Sequence, residues 1–183
     1  MKKYELTDIT IEQSGVTLYR IRAVRAIKAF GVKKGDLGGY VEKEENLSQS
    51  GNAWVYGDAW VYGKARVYDN ASVYGKASVY GNASVYGNAW VSGDAWVYGD
   101  AWVSGNAWVY DNTDIIWCSK IGSRLGTTTA FIEKDGGVKI VCGCFCGTLN
   151  EFEKKVEETH GDNIYGKEYK AFIDLIKIHF GKV

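Results

Sequence analysis

Small and apolar residues recur along the middle of the chain with a period of six. Valine occupies ten positions spaced by six residues, from Val55 to Val109, and alanine stands two residues before each of them. The unit is A-x-V-[YS]-[GD]-[DNK]. Because successive side chains of a strand point to opposite sides, the alanine and valine of a unit face one side, and the residues flanking the valine face the other. Each unit is therefore predicted to be one short strand.

The end of each unit favours a tight corner. Gly or Asp is followed by Asp, Asn or Lys, and glycine and asparagine accept the backbone conformations that corners require. One unit is too small to bury its apolar residues, but three units make a triangular coil, and stacked coils enclose a core of valine ladders. A period of six fits neither heptad nor 3.6-residue helical spacing. Residues 51–112 are therefore predicted to form a parallel β-helix, most simply of the left-handed triangular kind.

This repeat resembles the bacterial hexapeptide-repeat superfamily, in whose left-handed β-helices each hexad carries an aliphatic residue and, four positions later, a small one. Valine and the alanine of the next unit fill these positions over about a third of the chain. Residues 30–57 also resemble bacterial and prophage hexapeptide proteins that often carry a provisional transferase label. Within that segment, Val41 and Leu47 are predicted to begin the period, with a two-residue insertion before Val55.

The segments on either side of the repeat predict two smaller units. Before it, alternating residues on both sides of Ser14 and Gly15 predict a β-hairpin that caps the open end of the β-helix. After it, three predicted strands precede two helices, as in a small α+β domain. The fold class is therefore mainly β, with the following parts: an N-terminal β cap (1–40), a hexapeptide-repeat β-helix (41–112) and a small C-terminal α+β domain (113–183).

Acyltransferases of the hexapeptide superfamily typically use a histidine as general base, on the β-helix or on a loop that leaves it. Residues 51–112 contain no histidine and no inserted loop, and the two histidines of the chain, His160 and His179, fall on predicted C-terminal helices. The resemblance therefore implies a fold without its catalytic residues. We expect a non-enzymatic protein without a cofactor. The alternative is an acyltransferase-like enzyme using His160, or a nucleotide-binding activity seated in the C-terminal domain.

Aromatic residues dominate the predicted outward side of the β-helix, well beyond what solubility favours. Assigning successive units to three faces stacks Trp54, Ser72, Trp90 and Trp108 on the first, Trp60, Ser78 and Trp96 on the second, and Arg66, Ser84 and Trp102 on the third. Strands stack about 4.8 Å apart, so a serine between two tryptophans leaves them roughly 9 to 10 Å apart, near what one inserted planar ring requires. Ser72 and Ser78 are predicted to floor such notches. The candidate binding residues here are Trp54, Trp60, Ser72, Ser78, Trp90, Trp96 and Trp102.

This aromatic surface admits three interpretations. The rings could pack sideways along the ladders and only stabilise the strands; they could form a self-association face that makes a dimer or trimer; or a notch could hold a stacked sugar or nucleobase. The function expected from these patterns is a binding or assembly protein that binds itself, a host protein or a small nucleotide or sugar ligand. The resemblance to prophage proteins implies a phage accessory role, including interference with a host defence system.

A second candidate site lies in the C-terminal part. The segment GSRLGTTT, residues 122–129, combines glycines, an arginine and hydroxyls ahead of a predicted strand. It predicts either a structural turn or an anion or nucleotide contact through Arg124, Thr127 and Thr128, with His160 nearby. The segment lacks the Gly-Lys-Ser/Thr ending of a phosphate loop and precedes a strand instead of a helix.

Three of the four cysteines recur at every second residue in and just after a predicted strand, residues 138–145. Cys142, Cys144 and Cys146 are in line with Val138 and Ile140, so all five are expected to face the same core. A straight strand places alternate thiols about 7 Å apart, whereas structural zinc sites use cysteine pairs that fold back on the metal. We therefore expect buried thiols and no metal. The alternative is a metal site with Cys118 as the fourth ligand.

Charge and hydropathy exclude two classes of partner. The formal net charge is +0 and no run of like charges occurs, so the attraction to phosphate on which nucleic-acid binders rely is missing, and we expect no duplex nucleic acid partner. No apolar stretch approaches the roughly 20 residues of a membrane span, and the N-terminus lacks the apolar segment of an export signal. We expect a cytoplasmic protein without a membrane partner.

Overall fold

The computed structural model describes residues 2–181 and confirms the predicted fold class in its main parts: a triangular parallel β-solenoid, an N-terminal β-hairpin and a C-terminal α+β unit. The strands before and after the repeat are β1 (Tyr4–Gln13), β2 (Val16–Ala23), β3 (Leu37–Val41), β14 (Ile115–Ile121), β15 (Gly126–Ile132), β16 (Val138–Cys142) and β17 (Phe145–Thr148). The helices are α1 (Leu149–His160) and α2 (Ile164–His179).

Each valine unit of the repeat forms a two-residue strand. These strands are β4 (Trp54–Val55), β5 (Trp60–Val61), β6 (Arg66–Val67), β7 (Ser72–Val73), β8 (Ser78–Val79), β9 (Ser84–Val85), β10 (Trp90–Val91), β11 (Trp96–Val97), β12 (Trp102–Val103) and β13 (Trp108–Val109).

Parallel pairing arranges these strands on three faces, as the sequence predicts. The first face is β4-β7-β10-β13, the second joins β3 to β5-β8-β11, and the third is β6-β9-β12. Every alanine and valine of the repeat is at most 1 % exposed, so these two residue types fill the interior. The outward residues therefore stack in the predicted order, and Ser72 pairs with both Trp54 and Trp90 on the first face.

The solenoid has four coils, and the first begins before the strict repeat. Val41 pairs with Val61 and Leu47 bridges to Val67, both 20 positions further on, whereas Val55 pairs with Val73 after 18 positions. The prediction of a two-residue insertion between Leu47 and Val55 is thereby confirmed. The coils are named after their inward residues: coil 1 (Val41, Leu47, Val55), coil 2 (Val61, Val67, Val73), coil 3 (Val79, Val85, Val91) and coil 4 (Val97, Val103, Val109).

One corner of the solenoid carries a ladder of asparagines. The amide of Asn52 donates to the side-chain oxygen of Asn70 (2.8 Å), Asn70 donates to Asn88 (3.3 Å), and Asn88 donates to Asn106 (3.4 Å). All donors point in the same chain direction. The ladder therefore links coil 1 to coil 4 and ends with the amide of Asn106.

The N-terminal hairpin extends the second face and closes coil 1. Its strands β1 and β2 pair antiparallel, and β2 pairs with β3. The Tyr4 hydroxyl donates to the carbonyls of Glu44 (2.9 Å) and Leu47 (2.7 Å), and the fully buried Lys3 ammonium donates to the carbonyl of Ala53 (2.7 Å). These bonds satisfy carbonyls of coil 1, which has no preceding coil to bond.

The C-terminal unit closes the other end of the core. One side of its antiparallel sheet, β14-β15-β16-β17, contributes Ile115, Phe131 and Val141 to the solenoid core. The other side packs against α1 and α2. The predicted capping box is present, since Thr148 accepts from the Glu151 amide (3.3 Å) and Glu151 accepts from the Thr148 amide (2.7 Å).

The prediction that three cysteines share one buried side is wrong. Cys144 and Cys146 are exposed, and Cys142 is half-buried. The predicted strand 138–145 is broken at Gly143, whose φ of 58° starts a turn into β17. Because the chain reverses there, the alternation that would align the thiols ends at Cys142.

No helix of residues 2–181 has the length and apolar character needed to cross a membrane.

Replacing Lys3 should change how stability depends on pH. Burial, with Arg25 nearby, lowers the pKa of the Lys3 ammonium from 10.5 to about 8. The unfolded chain therefore binds more protons than the folded chain between these values, and the free energy of unfolding rises with pH in that window. We expect Lys3→Met to remove about 1 to 2 kcal/mol of this rise between about pH 7 and 9.5 in urea titrations.

Two choices isolate the Lys3 effect. The pKa of Tyr56 is raised to about 12 by burial, which lowers stability with rising pH only above about pH 10, outside the window. Lys64→Met, at an exposed corner of coil 2, serves as the control and should keep the rise. Equal slopes for Lys3→Met and the unchanged protein would contradict the assignment.

A pair of glycines tests how closely the corners approach. Gly51 and Gly57 both have a positive φ, 68° and 56°. A Cβ at Gly51 would collide with the backbone carbonyl of Asp69, whereas at Gly57 the nearest heavy atom is 3.8 Å away. We expect Gly57→Ala to lower the free energy of unfolding by about 1 kcal/mol, and Gly51→Ala by about 1 to 2 kcal/mol more. If denaturant titration gave both variants the same decrease in the free energy of unfolding, the backbone at Asp69 would have to move aside at no cost, which would contradict the prediction.

Candidate functional site

The outward tryptophans differ in exposure from one coil to the next. Trp90, Trp96 and Trp102 are 40, 52 and 43 % exposed, and they lie on the first, second and third faces of coils 3 and 4. Trp60 is half-buried. The prediction that Trp54 belongs to an exposed surface is wrong: it is 1 % exposed, because Tyr4 of the N-terminal cap packs edge-on against it at 6.3 Å.

The tyrosines after the valines also form ladders, and the ladder of the first face differs from the other two. On the second face Tyr62, Tyr80 and Tyr98 stack at 5.1 Å with ring planes 6 to 7° apart, and the pair on the third face is stacked at 1°. On the first face Tyr56 and Tyr74 meet at 82°. Ser92 occupies the next rung there, and Tyr74 contacts Trp90 edge-on.

A cavity of about 570 Å³ opens on the first face beside these turned rings, and we call it the Ser72 notch. Its lining consists of Ala29, Phe30, Tyr56, Ser72, Tyr74, Gly75 and Trp90. Ser72 is 2 % exposed, and its hydroxyl has no hydrogen-bond partner within residues 2–181. The wall opposite Trp90 comes from Phe30 and Tyr56, whose rings meet at 6.4 Å, and not from the buried Trp54.

The other serines of coils 2 and 3 lie in different surroundings. Ser78, predicted as a second notch floor, is 5 % exposed on the second face and does not line the Ser72 notch. Ser84 is half-buried on the third face and borders a shallow cavity of about 440 Å³ with Arg66 and Tyr68. Of these three serines, only Ser72 has a buried hydroxyl without a partner among residues 2–181, and its cavity is lined mainly by aromatic rings.

A second cavity, of about 580 Å³, lies on the other side of Trp90, where the solenoid meets the C-terminal unit. We call it the Trp90–Trp108 groove. The two indoles are 5.8 Å apart and tilted by 55°, and the Lys134 ammonium lies 5.6 Å from the centre of the Trp108 ring. The remaining lining residues are Asn88, Asn106, Ala107, Glu133 and Asp135. The asparagine ladder thus ends in this groove.

The candidate anion site does not converge in the structure. Arg124 is exposed on the turn between β14 and β15. The hydroxyls of Thr127 and Thr128 lie on opposite sides of β15: Thr127 bonds to Ser119 (2.8 Å), and the fully buried Thr128 donates to the Cys142 sulfur (3.1 Å). Both hydroxyls are thus occupied, which fits the structural-turn alternative.

His160 belongs to a packed cluster next to that turn. Its ring stacks on Tyr169 at 5.6 Å, and the Tyr169 hydroxyl lies 3.7 Å from the Cys142 sulfur. Burial, followed by the neighbouring Cys142, raises the pKa of Tyr169 above its usual range, so its hydroxyl stays protonated. Between residues 2 and 181, no group of three or more His, Cys, Asp or Glu side chains could hold a metal ion.

The loop between β15 and β16 contributes to the groove in a way that was not predicted from the sequence. Glu133, Lys134 and Asp135 form part of the groove only because this loop folds back on the solenoid, where Ala107 bridges to Glu133 and the Lys134 amide donates to the Asn106 carbonyl (3.3 Å). A charged loop followed by two glycines signals a turn, but it does not say what the turn will contact.

Part of the repeat is similar to a known family. Residues 65–81, 77–93 and 83–99 match a family described as the YdcK Beta solenoid repeat. No curated protein matches the chain. The matched residues run from coil 2 to coil 4, so this part of the chain is similar to a known β-solenoid repeat, in agreement with the stacked coils of the structure.

Proposed function

We propose that this chain is a non-enzymatic binding protein, and that its binding surface is the aromatic surface of coils 3 and 4. The observation that supports this most is the exposure of Trp90, Trp96 and Trp102, at 40 to 52 % each, on a rigid backbone. Exposed indoles are unfavourable in water, and large exposed apolar patches usually mark an interaction surface. Aromatic residues are also enriched in interfaces.

The partner we propose first is a second copy of the chain, in a dimer or trimer. Coil 4 carries an exposed tryptophan on the second and third faces, and Trp90 adds one on the first, so copies could pack side by side through any face. One corner between the faces alternates in charge, with Asp58, Lys76 and Asp94 along it, and another carries the uncharged asparagine ladder, so these two corners do not oppose close approach. A host protein would use the same surface.

The finer assignment to the hexapeptide-repeat superfamily and to a phage accessory role, including an anti-defence role, is part of this proposal. It is supported by the six-residue unit and by the resemblance of residues 30–57 to prophage proteins. The alternative, an acyltransferase-like or nucleotide-binding activity in the C-terminal unit, has weaker support. The hydroxyls of Thr127 and Thr128 are already hydrogen-bonded to neighbouring residues. The hydroxyl of Tyr169 lies next to the sulfur of Cys142, which accepts from Thr128.

Removing exposed tryptophans should change the oligomeric state. Serine occupies the same rung in coil 3 on the second and third faces, so Trp96→Ser with Trp102→Ser is compatible with the strands. We expect the unchanged protein to sediment as a dimer or trimer and the double variant to weaken association by about 1,000-fold, since each of the two buried indoles contributes on the order of 2 kcal/mol. Sedimentation velocity across a concentration series measures this.

Trp60→Ser is the matched control, because it makes the same change at a half-buried rung of coil 2 and should leave association intact. A protein that stays monomeric at every concentration would contradict self-association. If His160→Ala abolished a measured acyl-transfer activity, the non-enzymatic proposal would be wrong.

A further inference from the structure

The Ser72 notch is more than a gap between side chains, because its floor is polar and unpaired. The Ser72 hydroxyl exposes less than 1 Å² and bonds to no group among the described residues. A buried hydroxyl without a partner is unfavourable, and native structures satisfy most such groups. The two neighbouring rungs of this stack carry tryptophan, so the repeat itself accepts a large ring at this position. A bound molecule that bonds to this hydroxyl would remove the deficit.

The walls of the notch favour a flat ring. Phe30 meets Tyr56 at 75°, Tyr56 meets Tyr74 at 82°, and Tyr74 meets Trp90 at 87°. These rings therefore present edges and faces around the opening instead of filling it as a stacked ladder. The first face thus keeps open a space that stacked rings fill on the other two faces. Aromatic rings prefer offset-stacked or edge-on partners, and this arrangement offers both to an inserted ring.

The lining also limits the polarity of the occupant. Within residues 2–181, the notch is lined by aromatic and small side chains with no charged group, and the Tyr56 hydroxyl is directed to the Phe30 carbonyl (3.4 Å). A sugar or nucleobase carries several hydrogen-bonding groups, most of which would lose water here without gaining a partner. A neutral ring with a single donor matches one hydroxyl at the floor.

We infer that the Ser72 notch binds a neutral, flat aromatic small molecule with one hydrogen-bonding group, of the indole or phenol class. The inference rests on the proposed binding function and names a ligand class for the first face. The ring lies between Trp90 and the Phe30–Tyr56 pair, and its N–H or O–H donates to the Ser72 oxygen. Because that oxygen is covered, a movement of the side chains around it accompanies binding.

Filling the notch tests the site. Indole is the probe, and its binding is measured by ligand-observed NMR and isothermal calorimetry. Ser72→Trp places in the notch the ring that Trp54 and Trp90 place on the neighbouring rungs, and we expect it to weaken indole binding at least roughly tenfold. Ser84→Trp makes the same change on the third face and should bind indole as tightly as the unchanged protein.

Removing the hydroxyl in Ser72→Ala tests the hydrogen bond. This variant also keeps the inference testable if Ser72→Trp does not fold. The unchanged protein should bind indole about fivefold more tightly than 1-methylindole, which cannot donate. Ser72→Ala leaves the cavity open, so it should bind both compounds equally. A preference for indole that survives Ser72→Ala would overturn the role of the hydroxyl, and with it the inference.

The outcomes separate this inference from the proposed function. Loss of indole binding in Ser72→Trp but not in Ser84→Trp supports the notch, whatever the oligomeric state. No saturable indole or p-cresol binding to the unchanged protein, or tighter binding of adenine or glucose, overturns the inference. If Trp96→Ser with Trp102→Ser still disperses the oligomer in that case, the proposed function stands without the ligand class.

Discussion

Backbone hydrogen bonds between successive coils set the spacing on which every other part of this structure depends. On the first face, the amides of Trp54, Ser72 and Trp90 donate to carbonyls of the next coil at 3.0, 2.9 and 2.8 Å. This pitch leaves inside only the room that alanine and valine fill, and it places outward side chains on rungs about 4.8 Å apart. On the first face, the serine rung between Trp54 and Trp90 lines a ring-sized notch, and Tyr74 beside it is turned edge-on to Trp90.

A stack of parallel coils has two open ends, and the chain closes both with unlike solutions. At coil 1, polar side chains of the N-terminal cap supply the missing donors: Lys3 bonds to the carbonyl of Ala53, and Tyr4 bonds to the carbonyl of Leu47. At coil 4, a sheet covers the core with Phe131 and its neighbours, and Thr129 accepts from the Trp102 amide (3.1 Å). Both solutions hide the unpaired groups that would otherwise template the addition of another chain.

The parts that could be predicted are those encoded by local period. The spacing of Val41, Leu47 and Val55 was enough to locate the first coil and its insertion, and the rung positions of Ser72 and Trp90 followed from counting units. What could not be predicted depends on contacts distant in sequence. Trp54 is covered by Tyr4 from the hairpin, Phe30 becomes a wall of the notch, and the Glu133–Asp135 loop completes a groove. For the cysteines, the local signal at Gly143 was present but was outweighed by the alternation around it.

The asparagine ladder and the coil-to-coil bonds have a further consequence, since each coil contacts only its neighbours and the two closing units. The number of coils therefore sets the distance between the two closing units. Duplicating one coil would move the C-terminal unit outward by about 4.8 Å without disturbing either cap. The Ser72 notch and the Trp90–Trp108 groove would not both survive, because they share one indole. Trp90 lines both cavities, so the two cavities can lie on opposite sides of one indole only when the solenoid has its present number of coils.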